Sequence, residues 1–220
     1  MPLAKLTRPK LHQVLARERL FARLDDTSRP IVWIVGPPGA GKTALVASWL
    51  HAHKVGGVWY QVDPGDRDLS TFFHYLGLAA PAARKRDLPL PPFTAEHASD
   101  PSGYARVFFR SMFERFKPPS AIVFDNYHEL PPGAPLHALF NAIAREVPER
   151  TVLIATSRGE PPPECAELRA LDRIAIVDWD ELRLTFDETC GIAALRQHLD
   201  DATLRAVHAG QKVRIAQPAS

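Results

Sequence analysis

The chain has 220 residues, the length of one ordinary domain or two small ones and too short for a large multidomain machine. It carries 27 Lys and Arg against 25 Asp and Glu, and this formal charge of +2 lacks the positive excess of a nucleic-acid-binding domain. Its two cysteines, Cys165 and Cys190, exclude a disulfide framework and a four-cysteine zinc site, so we expect a cytoplasmic location.

The N-terminal segment is basic and has no apolar run of signal-peptide length. Its first 24 residues contain six Lys or Arg and one acid, Glu18. We interpret this charge as a solvated helix face, with a phosphate or partner contact as the alternative. The sequence nowhere approaches the ~18 consecutive apolar residues of a membrane helix. We therefore expect neither secretion nor membrane binding.

Five short apolar runs alternate with stretches of helical periodicity along the chain. Apolar runs without polar alternation are typical of strands buried on both faces of a parallel sheet. The predicted strands are 31–35, 58–60, 121–124, 151–155 and 174–177, and the predicted helices are 43–52, 69–78, 104–116, 135–147 and 190–199. This order predicts an α/β fold with a parallel sheet of about five strands flanked by helices. We divide the chain into a leader (1–30), the α/β domain (31–186) and a short helical extension with an irregular tail (187–220).

The sharpest motif is Gly36-Pro-Pro-Gly-Ala-Gly-Lys-Thr43, which matches G-x-x-x-x-G-K-[ST] between the first predicted strand and a predicted helix. Its glycines let the loop wrap a phosphate closely, where a Cβ would obstruct. We expect Lys42 to reach the β- and γ-phosphates of a nucleotide and Thr43 to bind Mg²⁺. The predicted nucleotide-binding residues of this P-loop NTPase motif are Gly36, Pro37, Pro38, Gly39, Ala40, Gly41, Lys42, Thr43 and Ala44.

A second acid is needed on the metal side of such a loop, and Asp125 provides it directly after four apolar residues. The alternative is an aspartate that caps a turn at the end of a strand. Hydrolysis also needs a group that orients or deprotonates water. Many P-loop ATPases carry an acid at the next position, but Asn126 cannot take a proton. Glu129 is the candidate substitute, with a solvent-facing loop residue as the alternative.

Two further residues are candidates for contact with the nucleotide. Arg158 follows the predicted strand 151–155, which we place beside the strand of the phosphate motif. There it would sense the γ-phosphate and stabilise its developing charge, unless it pairs with Glu160. His128 follows Asp125 closely, and for it we favour a structural hydrogen bond over contact with nucleotide or a partner.

Together these residues resemble the nucleotide-binding module of the STAND signal-transduction ATPases, in particular the MalT-like branch of LuxR-type transcriptional regulators. The resemblance covers about residues 4–200. Besides the phosphate motif it rests on Lys5-Leu-Thr-Arg-Pro9, Val14-Leu-Ala-Arg-Glu-Arg-Leu20, Phe124-Asp-Asn-Tyr-His128, Thr156-Ser-Arg158 and Leu182-Arg-Leu-Thr-Phe-Asp-Glu188. It implies ATP or ADP with Mg²⁺ as ligands, and a leader, including Arg17, that lies against the adenine and ribose. It also implies self-association or partner binding that activates transcription.

The chain departs from this family at two places. Asn126 replaces the second aspartate of the family, so slow hydrolysis or binding without turnover stays open. After about His208 the family's further helices, repeat-built sensor and DNA-binding helix-turn-helix have no counterpart. We expect a nucleotide-dependent switch module that does not itself bind nucleic acid. A small-molecule kinase, with Arg84-Lys-Arg86 as its one basic cluster, and a non-hydrolysing interaction module are the alternatives.

Overall fold

A parallel five-stranded sheet forms the centre of the computed structural model, which describes residues 3–11, 14–26, 28–81 and 89–196. The strands are β1 (Ile31–Val35), β2 (Gly56–Gln61), β3 (Ser120–Asp125), β4 (Thr151–Ser157) and β5 (Ile174–Val177). Their spatial order is β2-β3-β4-β1-β5, and every neighbouring pair is parallel. The α/β fold with a five-stranded parallel sheet was predicted from the sequence, and the structure confirms it.

The described ranges contain eight α-helices. They are α1 (Glu18–Asp25), α2 (Lys42–Ala52), α3 (Leu69–Ala79), α4 (Pro101–Phe113), α5 (Pro135–Glu146), α6 (Ala166–Ala170), α7 (Trp179–Leu182) and α8 (Phe186–Arg196). Five of them, α2, α3, α4, α5 and α8, overlap the predicted ones. Helix α4 begins and ends three residues before its predicted bounds. The reason is a strong start signal: Asp100 accepts a hydrogen bond of 2.8 Å from the Gly103 N–H, and Pro101 occupies the first helical position. None of the helices in the described ranges is long and apolar enough to cross a membrane.

Helix α8 begins at Phe186, four residues before the predicted start. Thr185 and Glu188 form a reciprocal cap, in which the Glu188 N–H donates to Thr185 Oγ1 (3.1 Å) and the Thr185 N–H donates to Glu188 Oε2 (2.9 Å). The predicted end of this helix, the tail and the basic cluster 84–86 lie outside the described residues. The helix therefore begins at the boundary that we predicted between the α/β domain and the extension.

Alternating residues of the strands build a core on each face of the sheet. Ile31 and Trp33 pack on the side of α3, α4 and α5, whereas Val32 and Ile34 pack on the side of α1 and α2. Trp33 also donates a hydrogen bond of 3.0 Å to the Gly159 carbonyl, beyond the end of β4. Burial on both faces explains why the strand sequences are continuous apolar runs.

The leader packs against the domain at two separate places. The turn Ala4–Leu6 lies against β2, where Lys5 Nζ forms ion pairs with Asp63 (2.7 Å) and with Asp66 (2.8 Å). Further along, Arg17 reaches the segment between α7 and α8. The leader is thus held to an edge strand and to the helical extension.

Candidate nucleotide-binding site

Three strand ends meet at one edge of the sheet. Strand β4 lies between β1 and β3, with Thr156 opposite Ile34 of β1 and Ala155 opposite Phe124 of β3. Because all strands run in the same direction, the loop after β1, the end of β3 and the end of β4 share the carboxyl edge, where ligands bind in open α/β sheets. The candidate residues from distant parts of the sequence are therefore brought together.

The phosphate loop, residues 36–43, needs its glycines for two different reasons. Gly39 (φ 78°) and Gly41 (φ 81°) have left-handed backbones that disfavour any side chain, and a Cβ on either would meet nothing within 4 Å. A Cβ on Gly36 would instead lie 2.9 Å from Leu182 Cδ1. The left-handed backbone thus favours glycine at positions 39 and 41, and packing against α7 favours it at position 36. That a Cβ would obstruct a bound phosphate stays a prediction.

The loop ends in the N-terminus of α2. Gly41 precedes this helix and no side chain caps it, and the first N–H groups of a helix have no partner within the helix itself. These donors and the helix dipole favour an anion at this end. The Ala40 N–H donates within the loop to the Pro37 carbonyl (3.2 Å), which keeps the loop curved.

Lys42 places a cation inside this curve. Its Nζ donates to the carbonyls of Gly36 (2.6 Å) and Pro37 (3.0 Å), and the side chain is largely buried. Burial is the main cause that lowers the pKa of Lys42 below its usual value, the Arg158 guanidinium lowers it further, and Asp125 acts in the opposite direction. The ammonium is thus already held against the loop that a phosphate would enter.

Thr43 and Asp125, the two predicted metal ligands, are in contact. Thr43 Oγ1 donates to the Asp125 carboxylate at 3.0 and 3.2 Å, and Thr156 Oγ1 donates to the same carboxylate at 2.6 Å. Asp125 is only 4% exposed. Within the described ranges no group of three or more His, Cys, Asp or Glu could hold a metal ion by itself. One carboxylate and one hydroxyl fit Mg²⁺, which usually takes its remaining ligands from phosphates and water.

Arg158 lies at this site but not in its interior. The side chain is exposed at the end of β4, and its charge lowers the pKa of both Lys42 and His128. Its suggested alternative partner, Glu160, lies 3.7 Å from Arg169. The structure therefore brings Arg158 close enough to Lys42 for their charges to interact.

Asn126 and Glu129 flank the turn that follows β3. Asn126 has a left-handed backbone (φ 61°), which asparagine tolerates better than most residues, and its N–H donates to Thr156 Oγ1 at 3.1 Å. The Glu129 side chain is 40% exposed, and its Oε1 lies 3.4 Å from His128 Nε2. Both interpretations of Glu129 thus have support, since it faces solvent and also reaches a residue of the site.

Three residues of this region were not predicted in their observed roles. Thr156 binds the Asp125 carboxylate directly, and Leu182 packs on the phosphate loop. Neither ring nitrogen of His128 has a hydrogen-bond partner within the described residues, although we expected a structural hydrogen bond. Of these three, only Leu182 lies next to a recognisable sequence pattern, the Thr185-x-x-Glu188 cap that follows it.

Arg17 has contacts different from those expected. Its guanidinium binds both oxygens of Glu188 at 3.2 Å and the Leu182 carbonyl at 2.7 Å, and the residue is only 6% exposed. Contact of Arg17 with the nucleotide stays a prediction, while these contacts give its side chain a structural role. They make Arg17 a link between the leader and the extension, at the segment that packs on Gly36.

Replacing Arg17 by methionine should lower the free energy of unfolding by about 2 kcal/mol, because Glu188 would lose one of its two cationic partners in a largely buried place. Urea denaturation would measure the change. Arg145→Met, which breaks the exposed pair with Glu167, is the control and should change stability little. Unchanged stability together with much weaker ATP binding would show that Arg17 serves the nucleotide after all.

Comparison with known proteins supports the fold. No family model matches the chain. A solved signal-transduction ATPase with numerous domains (STAND) and a tetratricopeptide repeat sensor, from Pyrococcus horikoshii, is 17% identical, with a TM-score of 0.68 over 92% of this chain. A DNA replication initiation factor aligns at 11% identity over 87% of this chain and 54% of its own, with a TM-score of 0.44. This chain spans 28% of the STAND protein, and the likeness to it shows a shared α/β fold.

Proposed function

We propose that the chain is an ATP- and Mg²⁺-binding module that acts as a nucleotide-dependent switch. The observation that carries the proposal is the meeting of Lys42, Thr43 and Asp125 at the carboxyl edge of the sheet. A cation held in a loop with left-handed glycines, a helix N-terminus and a buried carboxylate together suit a triphosphate with its metal.

Each residue then has a chemical task. The N–H groups at the start of α2 and the Lys42 ammonium hold the phosphates, while Thr43 and Asp125 hold the Mg²⁺ ion, which neutralises charge on the phosphate oxygens. Arg158, exposed at the end of β4, meets the γ-phosphate, which only ATP carries. This difference between ATP and ADP is what a switch requires.

We further propose that the chain works as the nucleotide module of a STAND-type transcription regulator in the cytoplasm. The resemblance of its motifs to the MalT-like branch supports this, and so does the fold shared with a STAND protein that carries a separate sensor. ATP would promote self-association or partner binding, whereas recognition of DNA would belong to other parts of such a regulator.

Titration of a fluorescent ATP analogue in the presence of Mg²⁺ tests the proposal. We expect saturable binding to the wild-type chain and roughly 10- to 100-fold weaker binding to Lys42→Ala, the effect of losing charge-assisted hydrogen bonds of about 1.5–3 kcal/mol. Lys117→Ala, at an exposed position, is the matched control and should bind like wild type. No binding by wild type, or equal binding by Lys42→Ala, would reject the proposal.

A non-hydrolysing interaction module is the second candidate, and Asn126 is the residue that favours it, since it cannot accept a proton. The two candidates differ in turnover and in response to the γ-phosphate. Two measurements on the wild-type protein separate them: the release of phosphate from ATP over hours, and the molar mass of the protein in ATP and in ADP. The same mass in both nucleotides and no phosphate release would favour the second candidate.

A further inference from the structure

His128 is an incompletely bonded histidine in the turn after β3. Its side chain is 15% exposed, yet both ring nitrogens are closed off from solvent and form no hydrogen bond with the described residues. Buried polar atoms rarely stay unpaired without a reason. His137 shows the usual arrangement nearby, with Nδ1 3.0 Å from the Tyr127 hydroxyl and Nε2 3.0 Å from the Pro131 carbonyl.

The groups around His128 are those assigned above to the triphosphate. Burial is the main cause that lowers the pKa of His128 below 6.5. Arg158 at the end of β4 and Lys42 of α2 lower it further, while Glu129 of the same turn and Asp125 of β3 act in the opposite direction. The lowered pKa favours the neutral ring, in which one nitrogen has a lone pair that can accept a proton.

The turn after β3 has no acid at position 126, where many P-loop ATPases carry the group that activates water. Asn126 cannot accept a proton, and the Glu129 carboxylate is 40% exposed, with Oε1 3.4 Å from His128 Nε2. A histidine next to a carboxylate is the usual arrangement of a general base with an orienting partner, and such hydrogen bonds are often long before the substrate is bound. In the structure the Glu129 carboxylate lies beside Nε2 without a hydrogen bond to it.

We infer that His128 is the general base for ATP hydrolysis and that Glu129 is its positioning residue, which rests on the function proposed above. The water oxygen forms a bond to the γ-phosphorus, and the bond from that phosphorus to the β,γ-bridging oxygen breaks, so that ADP leaves with the electron pair. One proton of the water passes to His128 Nδ1 and then to solvent, which requires that ATP binding open this nitrogen, closed off from solvent here, to the attacking water. ATP and water are the reactants, and nothing is oxidised or reduced.

Single-turnover phosphate release and ATP-analogue binding, measured on the same preparations, test this inference. We expect His128→Ala and His128→Asn to release phosphate at least about 100-fold more slowly, and Glu129→Gln about 10-fold more slowly. Their affinity for the analogue and their melting temperature should stay close to wild type. His74→Asn, at an exposed position of α3, is the control and should keep the full rate.

The pH dependence separates a base from a merely structural histidine. The wild-type rate should hold down to about pH 6.5, the ordinary pKa of histidine, and fall at lower pH as the ring takes up a proton. A rate that does not fall there overturns the inference, and so does a His128→Ala variant within about threefold of wild type. If wild type binds ATP and releases no phosphate, this inference alone fails. If wild type does not bind ATP, the proposed function itself fails.

Discussion

Replacing Gly57 by alanine should lower the free energy of unfolding by about 3–5 kcal/mol, because no side chain fits at this point of β2. The backbone has φ 129°, which L-residues rarely adopt, and a Cβ would lie 1.8 Å from the Ala121 carbonyl oxygen. Since Gly57 is paired with Ala121 in the β2–β3 ladder, relief of the contact would require the two strands to separate locally. Urea denaturation monitored by tryptophan fluorescence would measure the loss.

Gly56 provides the matched control for this change. It is the preceding residue of the same strand, it is exposed, and a Cβ there would meet nothing within 4 Å. Gly56→Ala should therefore change stability by less than about 1 kcal/mol. Equal effects of the two substitutions would contradict the strand pairing at this edge, on which the position of Asp125 in β3 depends.

Local patterns were sufficient to predict much of the fold. Strands 31–35 and 174–177 agree with β1 and β5 at both ends, because continuous apolar runs between polar residues mark strands buried on both faces. The phosphate loop was predictable for a similar reason, since its glycines, Lys42 and Thr43 are adjacent in the sequence. Asp125 followed from its place at the end of an apolar run.

Contacts between distant residues were not predictable in this way. The hydrogen bond from Thr156 to Asp125 exists because β4 lies between β1 and β3, and the strand order determines that neighbourhood. The ion pair of Arg17 with Glu188 joins residues 171 positions apart. The unpaired ring of His128 depends on what surrounds it in three dimensions, and a single histidine after a strand carries no such information.

Replacing Asp125 by asparagine should abolish the response to Mg²⁺ and leave the fold intact. Asparagine keeps the size of the side chain and one oxygen that accepts from Thr43 or Thr156. It removes the charge that we propose holds the cation, and we expect Mg²⁺ to bind at least about 10- to 100-fold more weakly, as after changes that disturb a metal ligand. The rise in melting temperature that Mg²⁺ adds to ATP should therefore disappear, while the protein without nucleotide melts close to wild type.

Asp66 is a second buried aspartate and should show the opposite pattern. Its carboxylate is fully buried and accepts hydrogen bonds from Lys5 Nζ (2.8 Å) and the Tyr60 hydroxyl (2.6 Å). Because this charge has a cationic partner, Asp66→Asn should cost about 2–3 kcal/mol of stability and keep the response to Mg²⁺. A full Mg²⁺ response in Asp125→Asn would mean that Asp125 only caps the turn after β3, and the metal would then have to be held by other residues.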